Sequence, residues 1–173
     1  LKYKKEIIIS IIILIIFSCI FYIFNRPATI NGLITWQYND LIGTKPDVGA
    51  TVFLMPDKID KKLSDDEADS YFLGIESPKG YYYAKTDGNG NYDIQDVAPG
   101  KYNVIIVSNS AKRNIIDDDN DYIRDKLSNY ISENMIDYFD TSNLYVWKYE
   151  TKDIEVKPGS NLTVSHDFEN TYY

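Results

Sequence analysis

Hydrophobic positions along this chain follow three rhythms in turn. From Ile7 to Phe24 they are continuous: no residue is charged, and only Ser10 and Ser18 interrupt the run. As a helix the run rises about 27 Å, close to the hydrocarbon thickness of a bilayer. After a linker at residues 25–28 the rhythm changes to period two, the alternation of half-buried strands. Near residue 121 it changes again, to a spacing of four.

The period-two segments predict a sheet protein. In ATINGLITWQY, Ile30, Gly32, Ile34, Trp36 and Tyr38 share one face, with Asn31, Thr35 and Gln37 on the other. The mostly apolar ATVFLM (50–55) suits the middle of a sheet. GYYYAKT (80–86) supplies another strand. Residues 84–107 read as a β-hairpin. Asp87 to Asn91 form its first turn, Tyr92 and Ile94 one strand, and Tyr102, Val104 and Ile106 the other. The turn between those strands, Pro99-Gly100, reads as type II, with positive φ at Gly100. Ile154 and Val156, then Leu162, Val164, His166 and Phe168 after Pro158-Gly159, complete the pattern. Residues 57–70 are charged and irregular. The expectation is a mainly β, seven-stranded β-sandwich.

The spacing of four belongs to an insert at about 109–150. Ile123, Leu127, Ile131 and Met135 predict one amphipathic α-helix across 121–139, with Tyr130, Tyr138 and Phe139 nearby. Asp117, Asp118 and Asp119 precede it, where carboxylates suit a helix N-terminus. Its apolar stripe must be buried, on the domain's own sheet or against a partner.

Composition fixes the compartment more than the chemistry. The 173 residues carry a net charge of −8; three of the 18 basic residues and one of the 26 acidic ones precede the apolar run, so the remainder carries about −10. Such a surface repels phosphate backbones and excludes nucleic acid as a partner. Lys2, Lys4 and Lys5 before the run, with only Arg26 closely after it, predict a cytoplasmic basic tail (1–6), a transmembrane signal anchor (7–24) and an extracellular domain (29–173) in a single-pass membrane protein. Three rivals stand beside this reading. They are a cleaved secretory signal, a bacterial lipobox at Ile16-Phe17-Ser18-Cys19 with Cys19 lipidated, and a buried core helix. Cys19 is the sole cysteine, so no intramolecular disulfide forms.

One set of residues carries a family likeness. Gly32, then Asp47-Val48-Gly49-Ala50-Thr51-Val52, then Thr86-Asp87 with Gly90-Asn91-Tyr92, then Val97-Ala98-Pro99-Gly100-Lys101-Tyr102-Asn103-Val104, resemble the carboxypeptidase regulatory-like domains. These are prealbumin-like (transthyretin-like) sandwiches, with Cna B-type surface domains as near relatives. The resemblance covers residues 29–109 and resumes at 151–169, leaving the insert unexplained. It implies a structural or binding module without catalytic residues or cofactor. The isopeptide bond of Cna B-type domains would need a lysine that the first strand lacks.

Other candidate chemistry is sparse. His166, the sole histidine, shares a face with Leu162, Val164 and Phe168 and reads as a core or strand-end residue. No phosphate-cradling glycine motif is present. Asp87, Asn89, Asn91 and Asp93, and again Asp117, Asp119 and Asp121, have the alternate spacing of calcium-binding loops, with turn formation at the first and helix capping at the second as the competing readings; neither completes an EF-hand. Sixteen tyrosines with Trp36 and Trp147 could offer stacking surfaces for sugars. No catalytic, cofactor-binding or metal-binding residue is assigned. The expected function is a non-enzymatic, membrane-anchored extracellular module, structural or protein-binding at the cell envelope. The alternatives are a carbohydrate-binding module and an accessory domain of a separately encoded enzyme.

Overall fold

The computed structural model describes residues 2–114 and 121–170. In chain order these form α1 (Lys2–Phe24), β1 (Ala28–Asn39), β2 (Gly43–Pro46), β3 (Thr51–Pro56), α2 (Asp65–Phe72), β4 (Tyr82–Lys85), β5 (Asn91–Val97) and β6 (Gly100–Lys112). Then come α3 (Asp121–Ser128), α4 (Glu133–Phe139), a π-helical turn (Asp140–Leu144), β7 (Trp147–Val156), β8 (Asn161–Thr163) and β9 (His166–Asn170).

The strands make two sheets. In one, β1 is central. The N–H of Ile34 donates to Gly90 and its carbonyl accepts from Asp47, so β5 and β2 follow each other along a single side of β1. β8 and β9 line the other side, both parallel to β1. The second sheet has the order β4-β3-β6-β7, antiparallel throughout. Among the described residues the count is therefore nine strands, not the seven expected, because the chain interrupts the row on each side of β1. One interruption falls between Pro46 and Asn91, where the chain leaves to form β3, α2 and β4; the other is the kink between Thr163 and His166.

The expected hairpin is also corrected. β5 pairs with β1, whereas β6 pairs with β3 and β7, so the link from Val97 to Gly100 crosses between the sheets. Gly100 does not take a positive φ; Asp96 does, at 55°. The turn is thus not the type II turn expected at Pro99-Gly100.

β3 and β6 account for a third layer. Val52, Leu54, Val104 and Ile106 point between the sheets and pack with Ile30, Ile34, Ile94, Val156 and Phe168. Their neighbours Phe53, Met55, Ile105 and Val107 point the opposite way into a second core with Tyr71, Phe72, Ile123, Leu127, Ile131 and Phe139. A strand that is apolar on both faces needs a layer against each, and here helices supply the outer one.

Those helices depart from the expected single insert helix. Residues 57–70 are not irregular throughout: Ser64 and Glu67 form a reciprocal capping box that starts α2. The expected helix over 121–139 is two. Ser132 caps α4 by accepting from the Met135 N–H at 3.3 Å, and its hydroxyl donates to Asp65 at 2.7 Å. A spacing of four drifts about 40° per step around a 3.6-residue helix, and the break lets both halves face one core. Ile123, Leu127 and Ile131 are fully buried and Met135 nearly so, which settles the docking alternative in favour of the domain's own sheet. The expected capping role of Asp117, Asp118 and Asp119 falls outside the described residues.

Candidate functional site

The open flank of the sandwich, where β7 faces β8 and β9, holds the most chemistry. On β7 the side chains at 148, 150, 152, 154 and 156 point towards the other sheet, in register with Val104 and Ile106 of the inner core. Two of them are lysines that span the gap. Lys148 Nζ donates to the carbonyls of Phe168 (2.8 Å) and Asn170, and Lys152 Nζ donates to that of Ser165 (2.8 Å). Ammonium groups thus take up carbonyls along β9 and clasp the two sheets together.

Beside Lys148 lies a cleft of about 350 Å³, lined by Arg113, Lys148, Tyr149, His166, Asp167, Phe168 and Glu169. Arg113 is buried where the chain leaves β6. Its Nη1 donates to the Leu144 carbonyl at 2.8 Å, and its guanidinium lies 5.5 Å from the centre of the Tyr149 ring. His166 pairs with Ile34 in register and meets the Phe168 ring edge-to-face at 4.4 Å. Burial pushes its pKa below the usual value, with Glu150 acting in the opposite direction. A second groove, about 570 Å³, continues along the flank between Lys152–Glu155 and Leu162–Ser165.

Other candidates resolve into structural roles. Asp87 Oδ1 accepts from the backbone N–H of Asn89 (2.8 Å) and Asn91 (2.9 Å), so its carboxylate closes the turn. Asp93 accepts from Gln95 instead. Asp121 opens α3, while Asp117 and Asp119 lie outside the described residues. Among the described residues no group of three or more His, Cys, Asp or Glu side chains could hold a metal ion. Asp47, from the motif that carries the family likeness, is fully buried. Its carboxylate accepts from Ser108 Oγ and the Asn109 N–H, and its carbonyl from Thr86 Oγ1, which ties the β2–β3 turn to β6.

Among the described residues five tyrosines are committed to packing, while outside α1 Tyr38, Tyr122, Tyr138 and Tyr145 are exposed. Tyr71, Tyr81, Tyr92, Tyr102 and Tyr130 are buried, and burial raises the phenol pKa of each, Tyr81 to about 12. Trp36 and Tyr38 meet edge-to-face at 5.6 Å rather than forming a flat platform.

Sequence reasoning missed one cluster. Lys126 Nζ on α3 donates to Asp153 Oδ1 (2.9 Å) on β7 and to Asn103 Oδ1 (3.2 Å) on β6, while Asn103 Nδ2 donates to the Tyr130 hydroxyl. A lysine, an asparagine and a carboxylate therefore meet away from the first strand. Burial lowers the Lys126 pKa, but its hydrogen bonds to Asp153 and Tyr122 outweigh this and raise it. The hydrogen bonds from Lys126 to β6 and β7 pin α3 to the sheet. Arg113, Lys148 and Lys152 were missed too, and only the lysines left a signal, as charges at alternate positions of β7 that face inward.

No known protein family matches the chain, and no curated protein matches it. Solved structures do. The TIE protein of Bacillus anthracis is similar at 10% identity over 84% of this chain and 17% of its own, with a TM-score of 0.43. A candidate carbohydrate-binding protein of Pseudomonas aeruginosa is similar at 13% identity over 83% of this chain and 90% of its own, with a TM-score of 0.43. A minor pilin of Streptococcus agalactiae is similar at 11% identity over 87% of this chain and 47% of its own, with a TM-score of 0.45. The chain thus spans less than a fifth of the first of these proteins and about half of the last.

Proposed function

We propose that this chain is a non-enzymatic module of the cell envelope. A single-pass helix holds it to the membrane, and the β-sandwich outside acts as scaffold or protein-binding unit. The observation that carries the reading is α1. Its 18-residue window Ile7–Phe24 has a mean hydropathy of 3.2, and none of it is buried against the rest of the chain. Water cannot accommodate that many exposed isoleucines and phenylalanines, whereas a bilayer can. Only residues 25–27 separate this helix from β1, so the domain sits at the membrane surface. The lysines before α1 favour an extracellular domain. The carboxypeptidase regulatory-like, prealbumin-like resemblance agrees with a role in support rather than catalysis.

A carbohydrate-binding role is less favoured, because outside α1 the exposed aromatic side chains Tyr38, Tyr122, Tyr138 and Tyr145 lie on separate elements and form no stacked pair with one another. The flank cleft, with Tyr149 beside Arg113 and Lys148, is where such a ligand would have to bind. The test is topological. Protease added to intact cells should remove the domain and leave a small membrane-bound stub. Release of the domain into the medium without protease would overturn the anchor.

A further inference from the structure

Among the described residues outside α1, the most exposed large apolar side chain is Leu41, 95% accessible, with Ile42 beside it at 54%. They form the tip of the turn between β1 and β2. This tip is ordered: Asn39 Oδ1 accepts from the backbone N–H of Leu41 (3.0 Å) and of Ile42 (2.7 Å). The adjoining Asp40 carboxylate is turned back to accept from Gln37 Nε2 at 3.1 Å. The hydrogen bonds thus hold Leu41 almost wholly, and Ile42 about half, in solvent.

Beside the tip the side chains cluster. Trp36 and Tyr38 meet edge-to-face, and Lys45, opposite Trp36 in register, places Nζ 3.8 Å from the centre of the Tyr38 ring. Lys45 and the two aromatic rings thus lie at one level beside the aliphatic tip, and both are side-chain types that settle at a bilayer's interface. β1 itself, 12 residues from the anchor to the turn, carries no charged side chain in a domain of strongly negative charge. A strand of this length spans about 40 Å. With only residues 25–27 between it and α1, the tip stays within reach of the anchoring bilayer at an effective concentration of order millimolar, where weak insertion becomes populated.

We propose that the β1–β2 turn inserts into the outer leaflet of the bilayer that holds α1, with Leu41 and Ile42 at the acyl boundary and Trp36, Tyr38 and Lys45 at headgroup level. This rests on the membrane anchoring proposed above. Insertion is driven by apolar burial rather than by charge. Asp93 on β5 and Asp167 on β9 flank β1 on its outward face, so anionic lipid weakens the contact.

The experiment uses the full chain in phosphatidylcholine nanodiscs containing lipids with a nitroxide on the acyl chain. An environment-sensitive fluorophore is placed on native Cys19, or on the thiol introduced by Ile42→Cys or Thr141→Cys in a Cys19→Ser background. The labels at positions 19 and 42 should both be blue-shifted and quenched, and the label at position 141 neither. Leu41→Ser should relieve quenching at position 42 without affecting Cys19, and replacing part of the lipid by phosphatidylglycerol should reduce it. Quenching at Cys19 with a water-like label at position 42 would overturn the inserted tip while leaving the anchor intact. No quenching at Cys19 would overturn both. A label at position 42 that is water-like in nanodiscs and protected only in native membranes would assign the tip to a protein partner, and the lipid assignment would fall.

Discussion

Phe72 at the end of α2 and Phe139 at the end of α4 stack with ring centroids 4.1 Å apart and planes 23° from parallel. The two residues belong to separate excursions from the sandwich, one between β3 and β4 and one between β6 and β7. Their contact makes those excursions a single layer. Both rings also meet Phe53 of β3 edge-to-face, which ties the layer to the sheet beneath. Phe72→Ala and Phe139→Ala should each destabilise the domain by about 3 to 5 kcal/mol. In a double-mutant cycle they should couple by about 0.5 to 1.5 kcal/mol. Urea unfolding of the two single variants and the double variant measures this, and strict additivity would mean that the two excursions fold independently.

The same layer predicts the effect of charge in the insert. Leu127 and Ile131 are fully buried in the outer core. Leu127→Asp with Ile131→Asp should destabilise by several kcal/mol, since two carboxylates would be forced into apolar contact. Loss of near-ultraviolet circular dichroism is the readout.

α1 contributes nothing to either core. Removal of residues 1–24 should leave the unfolding free energy of the remaining domain, measured in urea, unchanged to within about 0.5 kcal/mol. A large drop would place α1 among the packed elements.

Two glycines should behave in opposite ways. A Cβ at Gly32 would lie 2.1 Å from the Val164 carbonyl oxygen and 2.7 Å from the Tyr92 ring, so Gly32→Ala should cost about 2 to 3 kcal/mol. At Gly100 the nearest atom is 3.6 Å away and φ is not positive. Gly100→Ala should therefore stay within about 1 kcal/mol of the parent in the same urea assay.

His166 sets a pH dependence. Its pKa is lowered in the folded state from a usual value of 6.5, so the unfolded chain binds a proton that the folded chain resists. The stability that His166 contributes is complete above 6.5 and declines as pH falls from there towards the folded pKa. His166→Gln should flatten that decline. The check is the urea midpoint at pH 7.5 and pH 5.5, and parallel declines in parent and variant would assign the effect to carboxylates.

Much of the sheet was legible because its signals are local. Ile30, Ile34, Val52 and Leu54 alternate or run continuously as strands must, and the turns at Asp87 and Pro158 carry their own chemistry. Pairing was not legible. Tyr92 and Tyr102 lie on adjacent strands in the chain, and nothing local distinguishes a hairpin from a crossing between sheets. The third layer left a trace that alternation alone would not produce: Val52-Phe53-Leu54-Met55 and Val104-Ile105-Ile106-Val107 are apolar at every position, the mark of strands covered on both sides. The flank was hidden because Arg113, Lys148 and His166 are separated by as many as 53 positions in the sequence and meet only when β9 pairs with β1.

The parallel pairing of β1 with β8 and β9 governs the order in which the domain can be completed. β1 is the first strand to follow α1, yet residues 161–170 must arrive before its second side is covered. Contacts this distant in sequence make closure slow, because a loop of more than 100 residues must be ordered before they form. Until then the edge of β1 and the inner faces of Ile30 and Ile34 stay open. The strand nearest α1 is therefore among the last to be enclosed, because its second side stays open until residues 161–170 have paired with it.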